Sequence, residues 1–172
     1  LIMMHAENGG PIDVLVRHEN AFTAQTSSLE ERDSMPESVL STVEQVDGVA
    51  EAVGDVIGYA QIVDPVTGDV IGTFGPPTAA ASWNALSGFT LESGQAPQGD
   101  GRVVIDSSTA EGHDIQVGDR VEIVFEGPPG EFEVVGIAGY GDGGSLFGAT
   151  FALFDLPTAQ RVLGREGELD SV

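Results

Sequence analysis

Hydrophobic residues recur along this chain in two rhythms, one of period two and one of helical period. Ile12–Arg17 has β character, with Asp13 and Arg17 on one side of an ideal strand. Val39, Leu40, Val43 and Val46 fall at i, i+1, i+4 and i+7, a single apolar stripe that predicts a helix over Pro36–Val46. Pro36 suits its first turn, Glu37 adds favourable charge there, and Asp47-Gly48 stops it. Val49–Val53 and Val56–Val63 read as strands. Asp64–Gly68 is a turn from which Asp69–Phe74 pairs back as a hairpin. Thr78–Ser87 reads as a short helix carrying Trp83, and Phe89–Leu91 leads onward.

The stretch Leu91–Tyr140 has the clearest punctuation. Gly94, Pro97, Gly99 and Gly101 make a turning lead-in to the strand Arg102–Asp106. Ser107–Glu111 forms one helical turn capped by Ser107 or Asp106 and ended by Gly112. After Val117-Gly118-Asp119, Val121, Ile123 and Phe125 alternate with Arg120, Glu122 and Val124, a strand with one buried face. Gly127-Pro128-Pro129-Gly130 closes a hairpin whose partner is Glu131–Tyr140. A glycine-rich loop, Gly141–Ser145, leads to an inner strand, Thr150–Phe154, and a helix, Pro157–Leu163, ending at Gly164.

The order of elements predicts an α+β fold in two subdomains. One is a discontinuous α/β layer made of 12–75 and 145–172, the other a β-rich insertion over 76–144, and 1–11 form a flexible lead. Leu146 and Phe147, two large apolar residues beyond a glycine loop, and Trp83 are candidate partner contacts. Gly75, Pro76, Gly141, Gly143 and Gly144 are candidate hinges between the subdomains.

Charge changes the picture more than length does. Twenty-eight acidic residues face six basic ones, all Arg, for a net charge of −22. Such a surface opposes nucleic acid and anionic lipid, both polyanions. Without cysteine there is neither a disulfide framework nor thiolate chemistry. No apolar run approaches the roughly 18–20 residues of a membrane span.

Catalytic patterns are formal rather than complete. Gly139–Gly144 spells G-x-G-x-x-G after a strand, but the residues that follow read as loop and strand where a dinucleotide site needs a helix. Val104–Thr109 resembles the aspartic-protease segment, yet Ser108 stands where Gly is required and no second copy supplies the paired carboxylate. His5, His18 and His113 are scattered, and Asp64, Asp69, Asp114, Asp119 and Asp142 make no calcium-loop pattern. The expectation is no enzyme, no cofactor and no metal site.

The run from Gly94 through R-V-V-I-D, V-G-D-R-V and E-F-E-V-V-G-I-A, followed by Gly148–Gly164 with its L-P-T-A-Q helix, resembles the extracytoplasmic core domain of MacB/FtsX-like ABC transporter permeases. The resemblance implies that the two subdomains are Porter-like and Sabre-like. It implies a place on the extracytoplasmic face of a bacterial cell membrane, a second permease copy, and a separate cytoplasmic ATPase whose hydrolysis drives the motion. Substrate export, lipid or lipoprotein handling, or activation of an extracytoplasmic protein is the implied work. The family continues past Asp170-Ser171-Val172 with a further strand, helix and strand, so the second half of the Porter-like part is expected to be incomplete, with an exposed edge strand. A freestanding secreted binding or adhesion module is the alternative, separated by whether membrane helices flank the domain and an ATPase gene adjoins it.

Overall fold

The computed structural model describes residues 14–18, 33–72, 78–141 and 148–172, and is α+β and strand-rich, as the pattern predicts. Its elements are β1 Met35–Pro36, α1 Ser38–Glu44, β2 Ile57–Ile62, β3 Thr78–Ser82, β4 Phe89–Gly94, β5 Arg102–Asp106, α2 Ser107–Gly112, β6 Arg120–Phe125, β7 Gly130–Tyr140, β8 Thr150–Phe154, α3 Leu156–Val162 and β9 Glu168–Leu169.

Seven strands form one sheet in the order β4-β7-β5-β8-β3-β2-β6, and β6 pairs again with β7. That last pairing closes β7, β5, β8, β3, β2 and β6 into a barrel, so strand edges satisfy one another. The eleven residues of β7 serve two neighbours on one side: Gly130–Glu133 pair with β6 and Gly136–Tyr140 with β4. Between them the register with β5 skips Val135, a bulge that lets the long strand bend.

Alternation decides which side chains fill the ring. Val121, Ile123 and Phe125 of β6 are buried while Arg120 and Glu122 are exposed. Phe125, Phe132 and Phe154 pack edge-on or tilted with ring centroids 4.9–6.2 Å apart. Truncating the fully buried Phe154 to Ala would cost about 3–5 kcal/mol. A second cluster lies on the opposite face of β5 and β8, where Trp83, Phe89 and Leu91 pack against Val104, Val135, Phe151 and Leu153.

The ring also repeats itself. β6 and β7 are antiparallel and β7 and β5 parallel; β2 and β3 are antiparallel and β3 and β8 parallel. The halves meet through the antiparallel pairs β2–β6 and β5–β8. Each half is therefore three strands plus a short helix, α2 after β5 and α3 after β8, related by an approximate twofold. Strands of 12–75 and 145–172 (β2, β8) and of 76–144 (β3, β4, β5, β6, β7) share this one sheet.

Several local expectations need correction. Thr78–Ser87 is not a helix: Thr78–Ser82 is β3, wedged between β2 and β8. Alanine favours helix in isolation, but here its small side chain fits a crowded barrel wall, with Ala80 fully buried. Val49–Val53 forms no strand, and only Asp55 beyond it makes a bridge. The α1 helix stops at Glu44, so Val46 leaves the stripe and is 55% exposed. The hairpin after Gly68 is seen at the Val63–Val70 bridge and the Ile71–Ile62 hydrogen bond, the rest of Asp69–Phe74 lying partly outside the described residues. The final run is paired rather than open: Glu168 and Leu169 lie on β1, and Ser171 bridges both Arg17 and Asp55.

Candidate functional site

Several carboxylates among the described residues are tied into the frame, and their partners explain why sequence patterns around them look chemical. Asp106 ends β5 and begins α2. Its Oδ1 accepts from the Thr109 N–H at 2.9 Å and the Ser108 hydroxyl at 2.6 Å, and its Oδ2 accepts from the Phe151 N–H of β8 at 2.8 Å. The protease-like segment is thus a helix cap that also clasps a strand; Asp106 rather than Ser107 is the cap. Asp155 caps α3 after β8 and reaches a loop rather than a strand: Oδ1 accepts from Thr158 N–H at 3.1 Å and Oδ2 from Gly99 N–H at 2.7 Å. Burial opposes ionisation of Asp155, but the Thr158 hydroxyl, the Gly99 and Thr158 N–H groups and the Arg161 charge outweigh it and hold its carboxyl below the usual range. Both caps open the pattern D-x-x-T-A, at 106–110 and 155–159, a repeat that sequence reading passed over because the residues between differ.

Asp64 caps its own turn. The Thr67 N–H, the His113 ring at 2.7 Å and the Val66 N–H hold its pKa at about 2, against the smaller opposing effect of burial. His113 therefore joins the C-terminal end of α2 to the β2 hairpin turn. Asp55 behaves oppositely. Burial pushes its pKa up, and the nearby Asp170 pushes it further, against the Ser82 hydroxyl, Arg17 and the Val56 N–H. Sequence reading missed this pair because Asp55 and Asp170 lie far apart in the chain.

These groups do not converge on a reaction centre. Among the described residues no cluster of three or more His, Asp or Glu is placed to hold a metal. A depression of about 230 Å³ between Gly94–Gln95, Val117–Gly118 and Glu133–Val135 has glycines, valines and Gln95 in its lining and one carboxylate, Glu133. Nothing there offers a nucleophile beside a base. Of the candidate contacts, Trp83 sits just past β3, half-buried, its backbone N–H donating to the Phe154 carbonyl at 2.6 Å. Gly141, of the candidate hinges, follows β7 with φ +54°. Leu146, Phe147, Gly75, Pro76, Gly143 and Gly144 lie outside the described residues.

A profile described as the MacB-like periplasmic core domain matches residues 6–171. The chain belongs to that family. The MacB-like periplasmic core domain is an extracytoplasmic part of an ABC transporter permease, and the fold agrees: the crystal structure of the periplasmic region of MacB from Actinobacillus actinomycetemcomitans superposes with a TM-score of 0.59, covering 91% of this chain and 70% of that one at 14% identity. No curated protein matches the sequence. In this MacB-like domain no described helix is long and apolar enough to cross a membrane.

Proposed function

We propose that this domain transmits movement: ATP hydrolysis by a cytoplasmic ATPase shifts membrane helices, and the barrel is carried as a rigid body relative to a second permease copy. One observation carries the reading. The segments 14–18 and 168–172 meet, with Val16 and Val172 exchanging hydrogen bonds of 2.7 and 3.0 Å and Arg17 bridging Ser171, and the second segment is fastened in turn to Asp55, just before β2. A displacement applied to either is passed to the closed ring as a whole, because a barrel has no free edge along which to shear.

The candidate hinges fit this reading as bends in connections. Gly75-Pro76 precedes β3 and Gly141–Gly144 precedes β8, strands that start side by side at the Thr78–Thr150 pair. Bending there leaves the Porter-like and Sabre-like segments on one sheet. The exposed part of Trp83 is a contact for the second copy. The cargo of such motion is a transported substrate, a lipid or lipoprotein, or a partner protein outside the membrane.

The full permease with its ATPase provides the test. The chain has no cysteine, so labels can be placed at Val66 and Val117, which are 83% and 45% exposed. Spin-label distances between the two copies should change between nucleotide-free and ATP-trapped states, while the Val66–Val117 distance within one copy stays fixed. An unchanged inter-copy distance, or purification without any ATPase, would favour a freestanding binding module.

A further inference from the structure

The approximate twofold of the barrel can be placed to the residue. Taking the caps Asp106 and Asp155 as equivalents matches Val104 with Leu153, and these two stand opposite each other where β5 meets β8. Arg102 and Arg120 both pair with Glu133, as Phe151 and Tyr59 both pair with Ala79. Carried through those pairings, Ile123 matches Ile62, and these too stand opposite each other where β6 meets β2. The axis therefore exchanges two corners of the barrel. One lies between the end of α2 and the turn after β2, the other between the end of α3 and the turn after β6.

The first corner is closed. His113, just past α2, sets its Nδ1 2.7 Å from Asp64 Oδ2 in the turn after β2. At the second corner Val162 stands where His113 does, and Phe125, followed by Glu126, stands where Asp64 does. Phe125 is buried, so the turn offers the Glu126 carboxylate instead, and Val162 brings no charge to meet it. A cavity of about 130 Å³ remains there, lined by Gly58, Tyr59, Val162, Leu163, Glu126 and Arg165 among others. Arg165 is paired with Asp170, while the Glu126 side chain has no partner among the described residues.

The surface beside this cavity is apolar and then acidic. Ile57 and Tyr59, two apart on β2, share its outer face and are exposed, their partners on β3 being Ala81 and Ala79, too small to cover them. On β6 and β7, Glu122 stands opposite Glu131, and Glu133 opposite the single cation Arg120. An aromatic ring, aliphatic side chains and a carboxylate in one place receive both the stem and the head of a basic side chain. A planar guanidinium suits a ring and a carboxylate together better than an ammonium does.

We infer that this open corner is a socket for an arginine on a basic, partly apolar segment of a partner protein, the guest filling the place that His113 fills in the twin corner. A second copy of the chain is not the donor. A net charge of −22 sets copies against each other, and Arg120, Arg161 and Arg165 are already paired within the chain. The socket stands whether or not the domain transmits motion, because it is read on this chain without an ATPase or a second permease.

Amide NMR shifts of the intact chain, titrated at about 0.1 M salt with a capped Leu-Arg-Leu peptide, test it. The Gly58, Tyr59 and Gly127 amides should shift and saturate, and the same peptide with neutral citrulline in place of arginine should leave them still. Glu126→Gln should weaken binding on the order of tenfold, the loss of one charge-assisted hydrogen bond. Tyr59→Ala should weaken it about threefold. Glu122→Gln removes an equal charge further along β6 and should change the affinity less than about twofold. All three positions are exposed, so the variants keep the fold. Shifts scattered over the acidic surface without saturation, equal losses for Glu122→Gln and Glu126→Gln, or citrulline binding as well as arginine would overturn the socket. Self-association of the chain that Glu126→Gln abolishes would overturn the choice of partner.

Discussion

The two D-x-x-T-A caps do one job in two environments. After β5, Asp106 is 2% exposed and clasps a backbone N–H of the neighbouring strand inside the protein. After β8, Asp155 is half-buried, its second oxygen reaches the exposed Gly99, and Arg161 stands by, itself paired with Asp100 at 2.9 Å. The local hydrogen bond to the threonine N–H is nearly the same, 2.9 against 3.1 Å. What differs is whether water can replace the carboxylate. The same five-residue device is therefore a joint of the barrel on one side and a helix cap on the other.

Outside the aromatic core, the largest effect should come from Asp106→Ala. It removes a cap and leaves the Phe151 N–H buried without an acceptor, a loss of about 3 kcal/mol seen as a lower urea midpoint with little change in slope. Next comes the interior of the other half. β2 and β6 are matching six-residue strands, yet the second position is Gly58 in one and Val121 in the other. A Cβ at Gly58 would lie 2.7 Å from the Leu163 side chain just past α3, so Gly58→Ala should cost about 1–2 kcal/mol while Leu163 gives way. An unchanged urea midpoint would mean that α3 is loosely seated. Asp155→Ala should cost about 1 kcal/mol, since Gly99 can turn to water. Because Asp155 titrates below its ordinary range, its contribution is present above that range and lost as pH falls through the lowered value. The variant and the unaltered chain should therefore converge in strong acid. Equal losses at Asp106 and Asp155 near neutral pH would break the contrast between them.

How much of this was legible depends on the range of the interaction. The hairpin β6–β7 was readable nearly to the residue, since alternation and a Gly-Pro-Pro-Gly turn are local signals. β3 was misread because four of its five residues are Thr and Ala, and only the neighbours β2 and β8 decide that they extend. The barrel's closure was invisible, as it rests on β6 meeting β2 from the far side of the chain. Asp64 advertised its turn through Pro65 and Gly68, but its partner His113 lies beyond any local pattern. The Asp55–Asp170 seam lay furthest out of reach, because neither residue has a motif and their meeting requires the whole ring to be in place.

The smallest expected effect is also the sharpest control on the comparison of the two caps. Arg161 lies in the last turn of α3 and pairs with Asp100, their side chains 46% and 80% exposed. A solvated pair of this kind contributes about 0.2–0.5 kcal/mol and fades with salt. Arg161→Gln should therefore shift the urea midpoint barely at low salt and not at all in about 1 M salt, where the Debye length is about 3 Å. Combined with Asp155→Ala, it should give less than the sum of the two, because Arg161 also favours the ionised Asp155 that the second change removes. Strict additivity would mean that the Asp155 cap works through its hydrogen bonds to Thr158 and Gly99 alone, with the nearby guanidinium contributing nothing to it.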